Sequence, residues 1–425
     1  MRDASAVSFR LAAGYRYIVA MQRKIHDKRF FFESRSSLVA LLIWLVPVAA
    51  HAAPDGNGVA RATAAASPLV QRTRVDLRAQ VALIGDRALR RATADALDNP
   101  QTCIVHRAHL DRAEQGAIVA RLIAAHLLPD QDRARLIAGV FPPLRDASGD
   151  CPQLPQPFYA APGGDGAGHH RWPGGLVLHT VFNTRIAVAL ARAYDHQTGL
   201  HSDRDAVAAA ALWHDWAKTL VFQWQADGRE FDEIALGGRG DVDDFGRPGD
   251  SRTGAHHILG LAEAMARSLS PGQVLIQACA HGTPTDGHAF RLVNWLRAAA
   301  IIARIDPVAR GYLVRDGQGQ LALPVPAGPV ATAADGPWRA ECLIHFQSDQ
   351  NWVFAESAAN LADLVLARLA GQFGYDPADG PRYRTAYRNV VLARLGADHI
   401  QLRNQRGGLA AVAADLRNLR RRGAI

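Results

Sequence analysis

Residues 206–218 read Ala-Val-Ala-Ala-Ala-Ala-Leu-Trp-His-Asp-Trp-Ala-Lys. An unbroken apolar run delivers His214 and Asp215 side by side, with Lys218 three residues on. On both sides of this stretch, long segments repeat apolar residues every three to four positions, and few windows alternate with period two. That periodicity is helical. The expected class is mainly α, a helical bundle with flanking helical regions.

Further candidates lie outward from this pair. Upstream, Gly174-Gly175-Leu176-Val177-Leu178-His179-Thr180 opens a helix with a histidine early on it. Downstream come His256-His257, then His281 after Ile276-Gln277-Ala278-Cys279-Ala280, then Asp306 after Ile301–Ile305. Ten of the seventeen histidines fall between His169 and His288.

The order H…HD…H…H…D resembles the HD superfamily of metal-dependent phosphohydrolases over His169–Asp306, about a third of the chain. The opening His169-His170-Arg171-Trp172-Pro173-Gly174-Gly175-Leu176-Val177-Leu178-His179-Thr180 is similar to the HH…GGL..HT start of one branch. That branch includes HD-domain 3′–5′ exoribonucleases and relaxase-associated domains. Nothing upstream resembles the nucleic-acid-binding domain of those exoribonucleases. The resemblance implies an HD-type bundle with His179, His214, Asp215, one of His256 and His257, His281 and Asp306 as metal ligands. It also implies phosphoester hydrolysis.

Ligand chemistry agrees. Neutral imidazole with carboxylate suits Mn, Fe, Zn, Co or Ni. Adjacent His214 and Asp215 point ~100° apart on a helix, so one can bind a metal while Asp215 bridges to a second. One or two such ions would activate a water and clamp phosphate oxygens. Asp215 and Lys218 are the catalytic candidates. Lysine occurs only at 24, 28 and 218 among 48 Lys and Arg. A compact ammonium one turn from Asp215 would reach a phosphate oxygen or a metal-bound carboxylate; the alternative is chance retention.

Other residues carry weaker signals. The H-x-x-x-G spacing selects His256 with Gly260, whereas the apolar face of Ile258, Leu261, Ala262 and Met265 selects His257; both stay open. His169 and His170 are either substrate contacts or loop histidines, while His196, His201 and His288 read as exposed or core histidines. The loop Gly238–Gly246 is a lid, a calcium loop lacking its final Glu, or a solvated loop. Trp213, Trp216, Phe222 and Trp224 read as core packing, with base stacking as the alternative. No GxSxG, Walker A or Rossmann fingerprint is present.

The net charge is concentrated near the start of the sequence. The formal charge is +8, but residues 1–52 hold +5 of it, leaving +3 for the other 373 residues. The cluster Arg417, Arg420, Arg421 and Arg422 reads as a solvated terminal helix. A net balance that small says little about partners; the resemblance implies a small phosphorylated substrate, nucleotide included, rather than nucleic acid.

Residues 38–50 form one apolar run preceded by Arg23, Lys24, Lys28, Arg29 and Arg35 and followed by Ala50-His51-Ala52. This is the pattern of a cleavable signal peptide ending near Ala52, with Met21 as an alternative start. Thirteen residues fall short of the ~20 that span a bilayer. A periplasmic or secreted protein with no stable membrane span after cleavage is expected. In an oxidising compartment Cys103–Cys151 is the expected disulfide, and Cys279 is expected to pack as a small apolar group.

The organisation expected is signal 1–52, flexible linker 53–75, helical region 76–150, HD unit 165–310 and helical region 337–425, with a short hairpin around Asp316-Gly317. The functional expectation is an exported metal-dependent phosphoric ester hydrolase. The rival is a sensor module that binds metal or nucleotide without turnover.

Overall fold

Side-chain caps from Ser67, Asp86, Asp111, Asp132, Asp203 and Ser270 set six of the helix starts. The computed structural model describes residues 56–99, 110–145, 153–166, 168–240, 250–284, 289–324 and 338–425. The expected signal peptide, Cys103, Cys151, His288 and most of the Gly238–Gly246 loop lie outside these residues.

The helices are α1 (Gly56–Ala65), α2 (Pro68–Ala82), α3 (Arg87–Asp98), α4 (Arg112–Ala124), α5 (Arg133–Val140), α6 (Gly175–Thr198), α7 (Arg204–Trp213) and α8 (Lys218–Val221). They continue as α9 (Ala255–Ala266), α10 (Pro271–Ala278), α11 (Ala289–Ala303), α12 (Arg339–Asp349), α13 (Trp352–Leu369), α14 (Gly380–Tyr383), α15 (Asn389–Leu395) and α16 (Ala397–Arg421). Two antiparallel pairs interrupt them. β1 (Ala235–Leu236) pairs with β2 (Thr253–Gly254), and β3 (Val314–Arg315) pairs with β4 (Leu321–Ala322) around the expected Asp316-Gly317 turn. The protein is mainly helical, as expected. No helix of the described residues is long and apolar enough to cross a membrane.

Local chemistry accounts for these boundaries. Ser67 caps α2 by accepting from the Val70 N–H, with Pro68 in its first turn. Asp111 and Glu114 form a reciprocal capping box on α4, and Asp203 caps α7. Such caps satisfy amides that have no partner within the helix. The longest helix beside the site, α6, is bracketed by Gly174 and Gly199, both at positive φ, a backbone region that glycine enters without the Cβ penalty.

One large core joins α2–α5 to α6, α7 and α9–α11. Trp213 and Trp216 pack there as the sequence indicates, and their indole N–H groups donate to Thr93 Oγ1 and the Ala96 carbonyl. A second core, Leu366, Tyr387, Leu392 and Leu416 among its members, holds α13–α16 together. Buried Arg388 ties this second core to the loop that precedes α6. It donates to Asp363 and to the Arg171 carbonyl, and Arg171 in turn donates to Asp363 and Asn360. The expected solvated terminal arginines are exposed, on a helix that remains regular to Arg421 apart from a break at Gly407–Gly408.

Residues 53–75 are not a flexible linker where the structure describes them. α1 and the start of α2 pack instead, with Ala60, Ala64 and Val70 buried. The small residues that suggested a linker allow close approach: a Cβ on Gly56 would lie 2.0 Å from the Gln225 carbonyl oxygen. Asn57 accepts from the Trp224 N–H, and the Ser67 hydroxyl donates to the Ala393 carbonyl.

Glu230 lies where α14 and α15 meet the 224–230 turn. It is 7% exposed, and Oε1 has no hydrogen-bond partner among the described residues. Burial pushes its carboxyl up to about 7, against the opposing pull of Arg388. A folded-state value above the ordinary 4.5 means that the native chain holds a proton the unfolded chain has lost. Stability from this group is therefore full below the unfolded value, declines as pH rises towards 7, and levels off above. Glu230→Gln is expected to remove roughly 2–3 kcal/mol of that decline, read as a smaller drop in urea midpoint between pH 5 and pH 8 than in the parent.

Candidate metal centre

α6 and α7 lie against each other and place His179, His214 and Asp215 together. Two glycines let the preceding loop approach: a Cβ on Gly175 would sit 1.8 Å from the His170 carbonyl oxygen, and one on Gly163 would sit 2.7 Å from the His170 Cβ. His214 is the C-cap of α7, and its Nδ1 is 2.9 Å from the Ala211 carbonyl. That partner holds the proton on Nδ1 and turns the Nε2 lone pair inward.

Four donor atoms converge there. His179 Nε2 is 3.3 Å from His214 Nε2, 3.2 Å from Asp215 Oδ2 and 3.3 Å from Asp349 Oδ1. His214 Nε2 is 3.3 Å from the same Asp215 and Asp349 oxygens. A tetrahedral set with bonds of 2.0–2.1 Å has ligand–ligand edges of about 3.3–3.4 Å. Five of the six edges match that spacing, and all four side chains are buried. The residues present fit a divalent ion.

The other carboxylate oxygen serves a second set. Asp215 Oδ1 is 3.5 Å from His256 Nε2, and Asp215, His256 and His281 offer ligand atoms within 4.8 Å of one another. Glu233 fixes His256, with Oε1 2.8 Å from Nδ1 and Oε2 accepting the His256 N–H. Thr253 Oγ1 lies 3.0 Å from His281 Nδ1. His257 does not join this set. It is buried, stacked on the His281 ring at 4.4 Å and edge-on to Trp295. His256→Ala is expected to lower bound metal by one equivalent, whereas His257→Ala retains it, as counted by plasma mass spectrometry.

Asp306 is not part of the centre. It is exposed beyond the end of α11 and accepts from the Val308 and Ala309 N–H groups, capping a turn ahead of which Arg304 has φ 57°. Asp349, the last residue of α12, occupies the place expected of Asp306 and receives a hydrogen bond from Asn183 Nδ2. The site-bearing bundle therefore runs to residue 349, past the limit of 310 expected from sequence. His345 and Asp349 lie one turn apart, a helical spacing that was the available signal. Glu233, in a non-helical stretch, had none.

Lys218 is buried, with Nζ paired to Asp215 Oδ2 at 2.7 Å and donating a hydrogen bond to the Gly163 carbonyl at 2.6 Å. Of its two expected targets, it meets the carboxylate. His169 and His170 border the same centre. Their Nδ1 atoms are 3.0 Å apart, and both rings face His179. His196 and His201 are exposed.

The electrostatics call for a cation. Burial opposes charge on His214, yet Asp215 and Asp349 outweigh it and raise the imidazole to about 10. Burial likewise opposes ionisation of Asp215 and Asp349, but His214 in both cases, and Lys218 for Asp215, hold them well below the usual range. His281 is pushed down to about 4 by burial and by His256, which keeps its lone pair available for coordination.

Cys279 and Cys342 form a disulfide linking the end of α10 to α12, correcting the expectation that Cys279 is only a packed apolar group.

Among known proteins, no family model and no solved structure matches the chain. It is 38% identical over 60 residues to a dihydroneopterin 2′,3′-cyclic phosphate phosphodiesterase of Methanocaldococcus jannaschii. The match covers 14% of this chain and 24% of that protein, so the chain spans about a quarter of the relative's length.

Proposed function

We propose that the chain is an HD-type metal-dependent phosphohydrolase that cleaves a small phosphodiester, cyclic nucleotide-like esters included. The observation that carries this reading is Asp215. Its Oδ2 belongs to the His179, His214 and Asp349 set, and its Oδ1 faces His256 in the other. One carboxylate shared by two nitrogen-rich sets is an arrangement that suits a pair of ions. The local likeness to a phosphodiesterase supports the reaction class.

Bound divalent ions would supply an activated water and positive charge for the phosphoryl oxygens. The chain itself presents imidazole nitrogens fixed by Ala211, Glu233 and Thr253 on their far sides. Lys218 steadies Asp215, whose two oxygens would serve the two ligand sets, and offsets the negative charge that two buried aspartates concentrate. His169 and His170 form the adjoining wall, where a phosphate ester would lie. The oxidising compartment proposed from the apolar run at residues 38–50 is supported by the Cys279–Cys342 bond.

The test is a panel of bis(p-nitrophenyl) phosphate, p-nitrophenyl phosphate and 2′,3′- and 3′,5′-cyclic nucleotides, run with Mn, Fe, Co, Ni or Zn added. Diester turnover that depends on added metal is expected. Bound metal with no turnover across the panel would identify the sensor instead, and absence of bound metal would remove both readings.

A further inference from the structure

Both sets contain one ligand at an insecure place. His281 stands beyond the C-terminus of α10, and Asp349 is the final residue of α12. Helix ends fray, so each needs a tie that the helix itself does not provide. The Cys279–Cys342 bond joins the end of α10 to the first turn of α12, the helix that carries Asp349. Cys279 is the C-cap of α10, two residues before His281. Cys342 lies two turns before Asp349 on α12 and one turn before His345. Along the chain the two cysteines are separated by 63 residues. Both are fully buried.

A second contact works in the same direction. His345 Nδ1 is 2.7 Å from the Ile276 carbonyl on α10, and the His345 ring meets the His214 ring edge-on at 5.4 Å. The α10–α12 seam thus fixes the axial register of Asp349 against His281, with the covalent bond at one end and His345, packed against the ligand His214, further along.

We propose that the Cys279–Cys342 disulfide is a positioning clamp for the metal centre. It holds the His281 and Asp349 ends in one register, so that high-affinity metal binding requires the oxidised protein. This rests on the metal-binding reading above. Preorganised ligands bind more tightly because less ordering is left to the binding step.

The experiment measures Co(II) affinity, by visible absorption and calorimetry, for the parent and for C279A/C342A. A loss of about tenfold or more is expected, within the range for removing support from ligands, with the helical circular dichroism retained. Leu416→Ala, in the separate core of α13–α16, serves as a stability control and is expected to lower the melting temperature without changing Co(II) affinity. Should the alanine pair fail to fold, the parent is reduced with a phosphine in mild urea, returned to buffer, and compared with a reoxidised sample. The same gap is expected. Equal affinity in the two members of the comparison overturns the clamp alone, whereas an oxidised parent that binds no Co(II) overturns the metal reading beneath it.

Discussion

Asp215→Asn is expected to empty both ligand sets at once. The amide keeps the shape and one acceptor oxygen, but it loses the charge and the second donor oxygen that faces His256. Bound metal should fall below one equivalent. Hydrolysis of any responsive diester should fall by at least about a hundredfold, the upper end of what losing a mere supporting partner costs. A second consequence is thermodynamic. Lys218 Nζ would remain buried beside an amide and the Gly163 carbonyl, and breaking a buried pair from one side costs roughly 3–5 kcal/mol. Metal analysis, a diester assay and a urea melt on the same preparation separate these effects. Parent-like turnover would sink the proposed mechanism, whatever the stability.

The second large effect distinguishes two aspartates. Asp349→Asn removes a carboxylate that stands 3.3 Å from both His179 and His214. Loss of one metal equivalent is expected, with activity down by at least about a hundredfold. Asp306→Asn touches only an exposed turn, where an amide oxygen can accept from the Val308 and Ala309 N–H groups as the carboxylate does. Its metal content and activity should equal the parent's. Reversal of the two results would restore Asp306 as the ligand and refute the geometry of the centre.

That reversal of roles shows where the sequence was legible. His179, His214 and Asp215 sit on or at the end of long apolar helices, and helical period exposes their order. Asp349 obeys the same order as Asp306 but lies beyond the Gly- and Pro-rich residues 310–336, and spacing across such a stretch is unconstrained. The choice between His256 and His257 turned on Glu233, a residue more than twenty positions upstream with no periodic signal of its own. Composition misled at residues 56–75 because alanine and glycine suit both a loose linker and a tight helix contact. Only the partner surface, here Gln223–Gln225 and Ala393, tells these apart. The disulfide was hidden for a related reason: pairing is a property of three-dimensional proximity, and 63 residues separate its halves.

Lys218 has one more consequence. From residue 29 to the end it is the single lysine, and it lies 5% exposed between Asp215 and Gly163. Amine-directed reagents therefore meet no open lysine along that stretch while the protein is folded. Acylation of Lys218, mapped by peptide mass, becomes a footprint of transient opening at the centre itself. Its rate reports how often the loop around Gly163 and the end of α7 part company, a motion that no surface label could follow so closely.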